Sequence, residues 1–186
     1  MKTNTVPVFA ALFVSFFIAE TVSRNQACMM LIGVDQYAME MFGDSEDVVK
    51  SKAVQYVEEL NKIYESSILM SAPNDNIYFQ IKEIRILRNF LPDCENKGVV
   101  LSEFSKLGTG SFCLAHLLTY RDFGCVIGLA FLGGLCRKSG NTGWTKVFAN
   151  NTAGTVNTLA HEVGHALDQT MMVETPACML GVENLA

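Results

Sequence analysis

Ser111-Phe112-Cys113-Leu114-Ala115-His116-Leu117-Leu118-Thr119 is almost unbroken in its apolar character. A strand with one wet face alternates apolar and polar side chains. A run this continuous therefore predicts a strand buried on both faces, at the centre of a sheet. Arg121-Asp122-Phe123-Gly124 then predicts a turn, and Val126–Leu132 a further strand running into Gly133-Gly134. Upstream, Ala27–Asp35 (ACMMLIGVD) has the length and composition of another strand. Asp44–Ser66 sets Val49, Ala53, Val57, Leu60 and Tyr64 on one side and Lys50, Glu58, Glu59 and Lys62 on the other. That pattern predicts an amphipathic helix capped by Asp44 or Ser45. Ile77–Leu87 alternates, then shifts phase between Ile81 and Ile84, which predicts a strand with a bulge near Lys82-Glu83. Pro92 breaks the chain, and Val99–Leu107 reads as a short helix.

Residues 137–151, with Gly140, Asn141, Gly143, Asn150 and Asn151, read as a long loop. Thr152–Thr170 reads as a helix whose buried stripe is Val156, Leu159, Ala160, Val163 and Leu167. The order β-α-β-α-β-β-loop-α implies an α/β fold, a twisted and mostly parallel sheet packed on helices. At 186 residues the chain is long enough for one domain with a proper core, and it shows no internal repeat.

Lys2 followed by the apolar run Val6–Ala19 predicts a signal peptide, residues 1–23, cleaved after Ser23. The mature chain, 24–186, is then expected to be extracellular, with no stable membrane insertion after cleavage. The six cysteines are even in number and contain no CxxC pair, which suits three disulfides better than a thiolate cluster. Asn150-Asn151-Thr152 is an N-glycosylation acceptor in a polar stretch. A net charge of -5 without a basic cluster argues against nucleic acid or anionic membrane as a partner.

His161-Glu162-Val163-Gly164-His165 carries the chemistry. Histidines four apart on a helix share a face and reach one tetrahedral zinc, while Glu162 stands where it can deprotonate water beside that ion. Gly164 costs helix stability, which predicts close approach of the helix to the sheet. His116, in the central strand, reads as a core histidine with one hydrogen bond.

CMMLIGVDQYAMEMFG, VQYVEELNKIYESS, FQIKEIRIL and above all CLAHLLTYRDFGCVIGLAFLGGLC resemble the catalytic domain of ADAM metalloproteases, the adamalysin (reprolysin) branch of the metzincins. Within that branch the similarity is greatest to tumour-necrosis-factor-converting enzyme and its relatives, and it runs from about Cys28 to His165. The resemblance implies a metzincin-like catalytic domain with an antiparallel edge strand and a zinc-binding active-site helix. It implies a secreted zinc metalloendopeptidase acting on proteins or peptides. His161 and His165 are then zinc ligands and Glu162 the general base. Gly128-Leu129-Ala130-Phe131 matches the edge strand on which an extended substrate pairs. Family pairing suggests Cys28 with Cys113, while Cys136 with Cys178 and Cys94 with Cys125 are weaker expectations among the 15 arrangements six cysteines allow.

The family pattern HExxHxxGxxH is met only in part, since Asp168 stands in the glycine slot and Met171 in that of the third histidine. A thioether is a poor zinc ligand beside imidazole. Asp168, seven residues after His161, falls on the same helical face and is a candidate third ligand, with Glu174 a weaker one. The chain ends 21 residues after His165, so the C-terminal subdomain is expected to be short. Two other readings follow from these departures. One is a catalytically inactive relative that binds peptides or inhibitors. The other is a truncated product with no independent role.

Overall fold

The computed structural model describes residues 26–66, 77–91 and 93–167. The expected signal segment and Asp168, Met171, Glu174 and Cys178 lie outside them. In chain order the elements are β1 (Gln26–Asp35), α1 (Gln36–Met41), α2 (Glu46–Ser66), β2 (Ile77–Leu87) and α3 (Lys97–Ser105). A 3-10 turn at Thr109–Ser111 leads to β3 (Leu114–Thr119), β4 (Gly128–Ala130), β5 (Thr142–Lys146) and α4 (Thr152–Leu167).

The sheet runs β2-β1-β3-β5-β4, so β3 is central. Every residue of β3 is buried, as its unbroken apolar run predicts. β1 pairs parallel with β2 and β3, and β3 parallel with β5. Among the described strands only β4 is antiparallel, at the edge beyond β5. The expected bulge in β2 is present: Met30 faces Ile81 and Leu31 faces Glu83, so Lys82 is the extra residue.

Alternation along the strands divides the core in two. Met30, Ile32 and Val34 of β1 with Leu114 and Leu118 of β3 face α2 and α4. Leu31, Ala115, Leu117 and Trp144 face α3, where they meet Val100, Leu101 and Phe104. Gly33 lies under α3, and a Cβ there would stand 2.6 Å from the Phe104 ring. Close approach of helix to sheet, rather than a turn, is what this glycine serves.

Three expectations are corrected. Residues 137–151 are not one long loop, because β5 lies within them. Gly143, which reads as a turn signal, instead clears space: a Cβ there would stand 2.9 Å from the His116 ring and 3.1 Å from the Ala130 Cβ. The strand expected over Val126–Leu132 narrows to Gly128–Ala130, and Phe123 bridges Val126 in the turn before it. A short helix, α1, follows β1 directly, and α2 starts only at Glu46. Ser45 caps α2, its hydroxyl accepting from Val48 N at 3.4 Å, while Asp44 takes a left-handed φ of 57° in the turn before it.

Cys28 and Cys113 are joined, tying the start of β1 to the start of β3 across 85 residues of sequence. Closing so long a loop removes unfolded-state entropy worth about 4–5 kcal/mol in the chain-entropy account. Cys136 is also disulfide-bonded. Its expected partner, Cys178, is among the residues not described. The expected Cys94–Cys125 bridge does not form. The Cys94 thiol turns to the Asn96 carbonyl at 3.7 Å within its own turn, and Cys125 is exposed.

One buried ion pair closes the ends of β1 and β3. Asp35 and Arg121 are almost wholly buried, with Arg121 Nε donating to Asp35 Oδ2 at 2.9 Å. The same carboxylate accepts from Thr119 Oγ1 at 2.7 Å and from Ala38 N at 3.1 Å, so it also caps α1. The guanidinium donates onward to the carbonyls of Leu91, Cys94 and Phe90 and lies 4.4 Å from the Tyr37 ring centre. Burial pushes the Asp35 pKa up, opposed by the bonds from Thr119, Ala38 and Arg121. Removing one partner of such a pair strands the other charge away from water. Arg121→Ala is expected to cost about 3–5 kcal/mol of unfolding free energy, measured by urea denaturation.

Candidate metal and peptide site

Helix α4 forms because Val156, Leu159 and Val163 bury one stripe against the sheet and α2. Its start is capped by Asn151, whose side-chain oxygen accepts from Gly154 N at 2.8 Å. Tyr64 of α2 donates its hydroxyl to the Ala160 carbonyl at 3.0 Å, pinning the helix one residue before His161. Burial pushes the Tyr64 pKa up to about 12, so it stays a donor at neutral pH.

The helical period then separates the three residues of interest. His161 and His165 are exposed on one side, their rings edge to face with Nε2 atoms 3.0 Å apart. Glu162, rotated toward the sheet, is only 5% exposed and lies against Gly128 of β4. Burial pushes its pKa up to about 7. The segment after β4 grips the far end of the same helix. Gly133 N donates to the His165 carbonyl at 2.9 Å and Leu135 N to the Ala166 carbonyl at 3.0 Å. Those carbonyls belong to the last described turn of α4. Edge strand and histidine-bearing helix end are thus one unit.

The imidazole spacing fits a metal. Two nitrogens each about 2.0–2.1 Å from one zinc stand about 3.3 Å apart at the tetrahedral angle, close to the separation seen here. Among the described residues no group of three or more His, Cys, Asp or Glu side chains gathers to hold an ion. The third ligand expected at Asp168, like Met171 and Glu174, lies outside them.

The edge strand has a defined open side. Lys146 N donates to the Ile127 carbonyl at 2.8 Å and Phe131 N to the Thr142 carbonyl at 3.1 Å. With Leu129 opposite Trp144, the odd-numbered residues bond to β5 and the even-numbered ones point away from it. Backbone N–H and C=O of Gly128 and Ala130 therefore face the edge that no other described strand covers. Phe131 and Leu132 continue this edge, exposed at 37% and 69%.

His116 is not part of this site. It is fully buried in β3, with a 2.9 Å hydrogen bond between its Nε2 and Thr145 Oγ1, and burial pushes its pKa down to about 3. It is the neutral core histidine its strand predicts. Asn150 is exposed immediately before the helix cap. Gly164 departs from expectation: it is exposed, and a Cβ there would stand 3.6 Å from the Tyr64 hydroxyl, an ordinary contact with α2 rather than with the sheet. Missing from the sequence reading are Tyr64, Gly133 and Leu135 as supports of α4. A tyrosine hydroxyl reaching 96 positions along the chain, or a backbone amide, leaves no local signal.

Residues 24–169 match the reprolysin-type profile described as metallo-peptidase family M12, and the chain belongs to that family. The match is to the family as a whole and does not single out the tumour-necrosis-factor-converting enzyme group. No curated protein matches the sequence. Among solved structures, a chain from the structure of a chaperone-substrate complex is similar in fold, with a TM-score of 0.53 at 16% identity. That likeness covers 77% of this chain and 26% of the other, so this chain spans about a quarter of its length. Among the described residues no helix is long and apolar enough to cross a membrane.

A carboxyl group whose pKa is raised by folding adds stability that is complete below its unfolded value, 4.5 here, and is lost as pH climbs through about 7. Metal-free protein is therefore expected to lose thermal stability from about pH 5 to about pH 8. Glu162→Gln should flatten that decline in a pH series of melting curves. Gly164→Ala should raise unfolding free energy by up to about 1 kcal/mol, because no contact demands the glycine.

Proposed function

We propose that this protein is a secreted zinc-dependent metalloendopeptidase of the adamalysin (reprolysin) type, hydrolysing peptide bonds of extracellular proteins. The observation that carries this reading is the placement of Glu162 between two elements. Its helix presents His161 and His165 with Nε2 atoms 3.0 Å apart, and its carboxylate rests on the strand whose backbone is open to an extended peptide. Membership of a metallopeptidase family supports the same chemistry.

His161 and His165 would hold zinc through Nε2, with Asp168 the proposed third ligand. Zinc, when bound, supplies Lewis-acid polarisation of a carbonyl and lowers the pKa of water to about 7. The chain's own residues do the rest. Gly128 and Ala130 offer N–H and C=O groups at every second residue, which is how an added strand is held in antiparallel register. Affinity through backbone bonds leaves side-chain preference to the residues around the strand, among which Phe131 and Leu132 are exposed. Glu162, its carboxylate lying against Gly128 of the edge strand, accepts a proton from water and passes it to the leaving amine. The exposed Asn150 is proposed to carry an N-glycan, at the opposite end of α4 from the histidines.

Met171 in place of the family's third histidine favours a second reading, a relative that binds peptides without cutting them. Zinc stoichiometry separates the two. A one-to-one complex at neutral pH, lost in His161→Ala and His165→Ala, supports the peptidase. Folded protein that takes up no zinc supports the binder. In the peptidase, Glu162→Gln should retain zinc and lower cleavage of an unstructured protein by about 10²–10⁴-fold. Cleavage at the wild-type rate would remove Glu162 from the mechanism.

A further inference from the structure

Gly128 is a glycine in extended strand, where neither a turn nor a left-handed backbone asks for one. The glycines with positive φ are Gly43, Gly108, Gly124, Gly133 and Gly140, and Gly128 is not among them. Its backbone would accept alanine, and glycine inside a strand is ordinarily a cost. What it meets is Glu162. A Cβ built on Gly128 would stand 2.7 Å from both Cγ and Cδ of that glutamate and closer still to Oε1. A whole carboxyl group, not one mobile atom, occupies the space that any other residue would fill.

Neither partner is free to retreat. Gly128 is held in the β4–β5 ribbon, paired opposite Thr145, with Lys146 N bonded to the preceding carbonyl of Ile127. Helix α4 is held from the other side by Tyr64 and at its end by the amides of Gly133 and Leu135. The separation of strand and helix is therefore set elsewhere, and a side chain at position 128 could be accommodated only by turning Glu162 aside.

We propose that Gly128 is a positioning residue for Glu162. By having no side chain it lets the carboxylate lie on β4, beside the open N–H and C=O groups that would carry the peptide bond past it. This inference rests on the peptidase reading and adds to it a residue that acts through the general base. The carbonyl and amide of Gly128 are unchanged by substitution with alanine, so peptide pairing should survive while the base is displaced.

A double-mutant cycle in the full chain tests this. Gly128→Ala and Glu162→Ala are made singly and together, and melting temperatures are measured on metal-free protein. Gly128→Ala is expected to lower the melting temperature in the wild-type background and to leave it unchanged, or raise it, when Glu162 is already alanine. In zinc-loaded Gly128→Ala, kcat for a peptide is expected to fall about 10–100-fold with KM within about twofold. An equal loss of melting temperature in both backgrounds overturns the contact, and an unchanged kcat overturns the positioning role. Zinc-loaded wild-type protein that cuts no peptide overturns the peptidase reading and the catalytic half of this inference with it. The cycle alone then decides whether the contact between the two residues is real.

Discussion

The Asp35–Arg121 pair is the constraint on which the upper edge of the molecule depends. Two charges withdrawn from water are tolerable only when each is fully bonded. Here the carboxylate takes Thr119, Ala38 and Arg121, and the guanidinium serves three backbone carbonyls besides. Those bonds join the ends of β1 and β3, the start of α1 and the turn around Leu91 and Cys94. They also set the point from which the chain leaves for the edge strand, because Arg121 is the second residue after β3.

From that anchor the site is assembled by packing rather than by local preference. Helix α4 carries its histidines outward and its glutamate inward simply because neighbouring helical residues are about 100° apart. The surface the inward-facing glutamate meets is the bare backbone of Gly128. Against it Glu162 stays within the fold, and loss of water raises its pKa toward neutrality. That burial comes at a cost to the charged form of the carboxylate, which the bare backbone of Gly128 makes room for but does not offset.

Much of this was legible in the residues. The unbroken run through β3 gave its central place, the phase shift after Ile81 gave the bulge, and the i, i+4 spacing of His161 and His165 gave the facing imidazoles. The resemblance carried by Cys113–Gly134 placed the edge strand and the Cys28–Cys113 bridge. Strand β5 was not legible, because Asn141 and Gly143 are turn residues by composition. Gly143 is there for a different reason, to admit the His116 ring from the neighbouring strand. The Cys94–Cys125 pairing failed because parity of cysteines says nothing about which thiols face each other.

Residue type and spacing were sufficient for the class of fold and the shared face of His161 and His165, since helix and strand periods act within a few residues. They could not say that Glu162 rests on Gly128, 34 positions away in the chain, or that His116 spends its one bond on Thr145. Those contacts depend on which elements become neighbours and at what distance. Burial, and the shift in proton affinity that comes with it, is a property of the assembled surroundings and not of any segment alone.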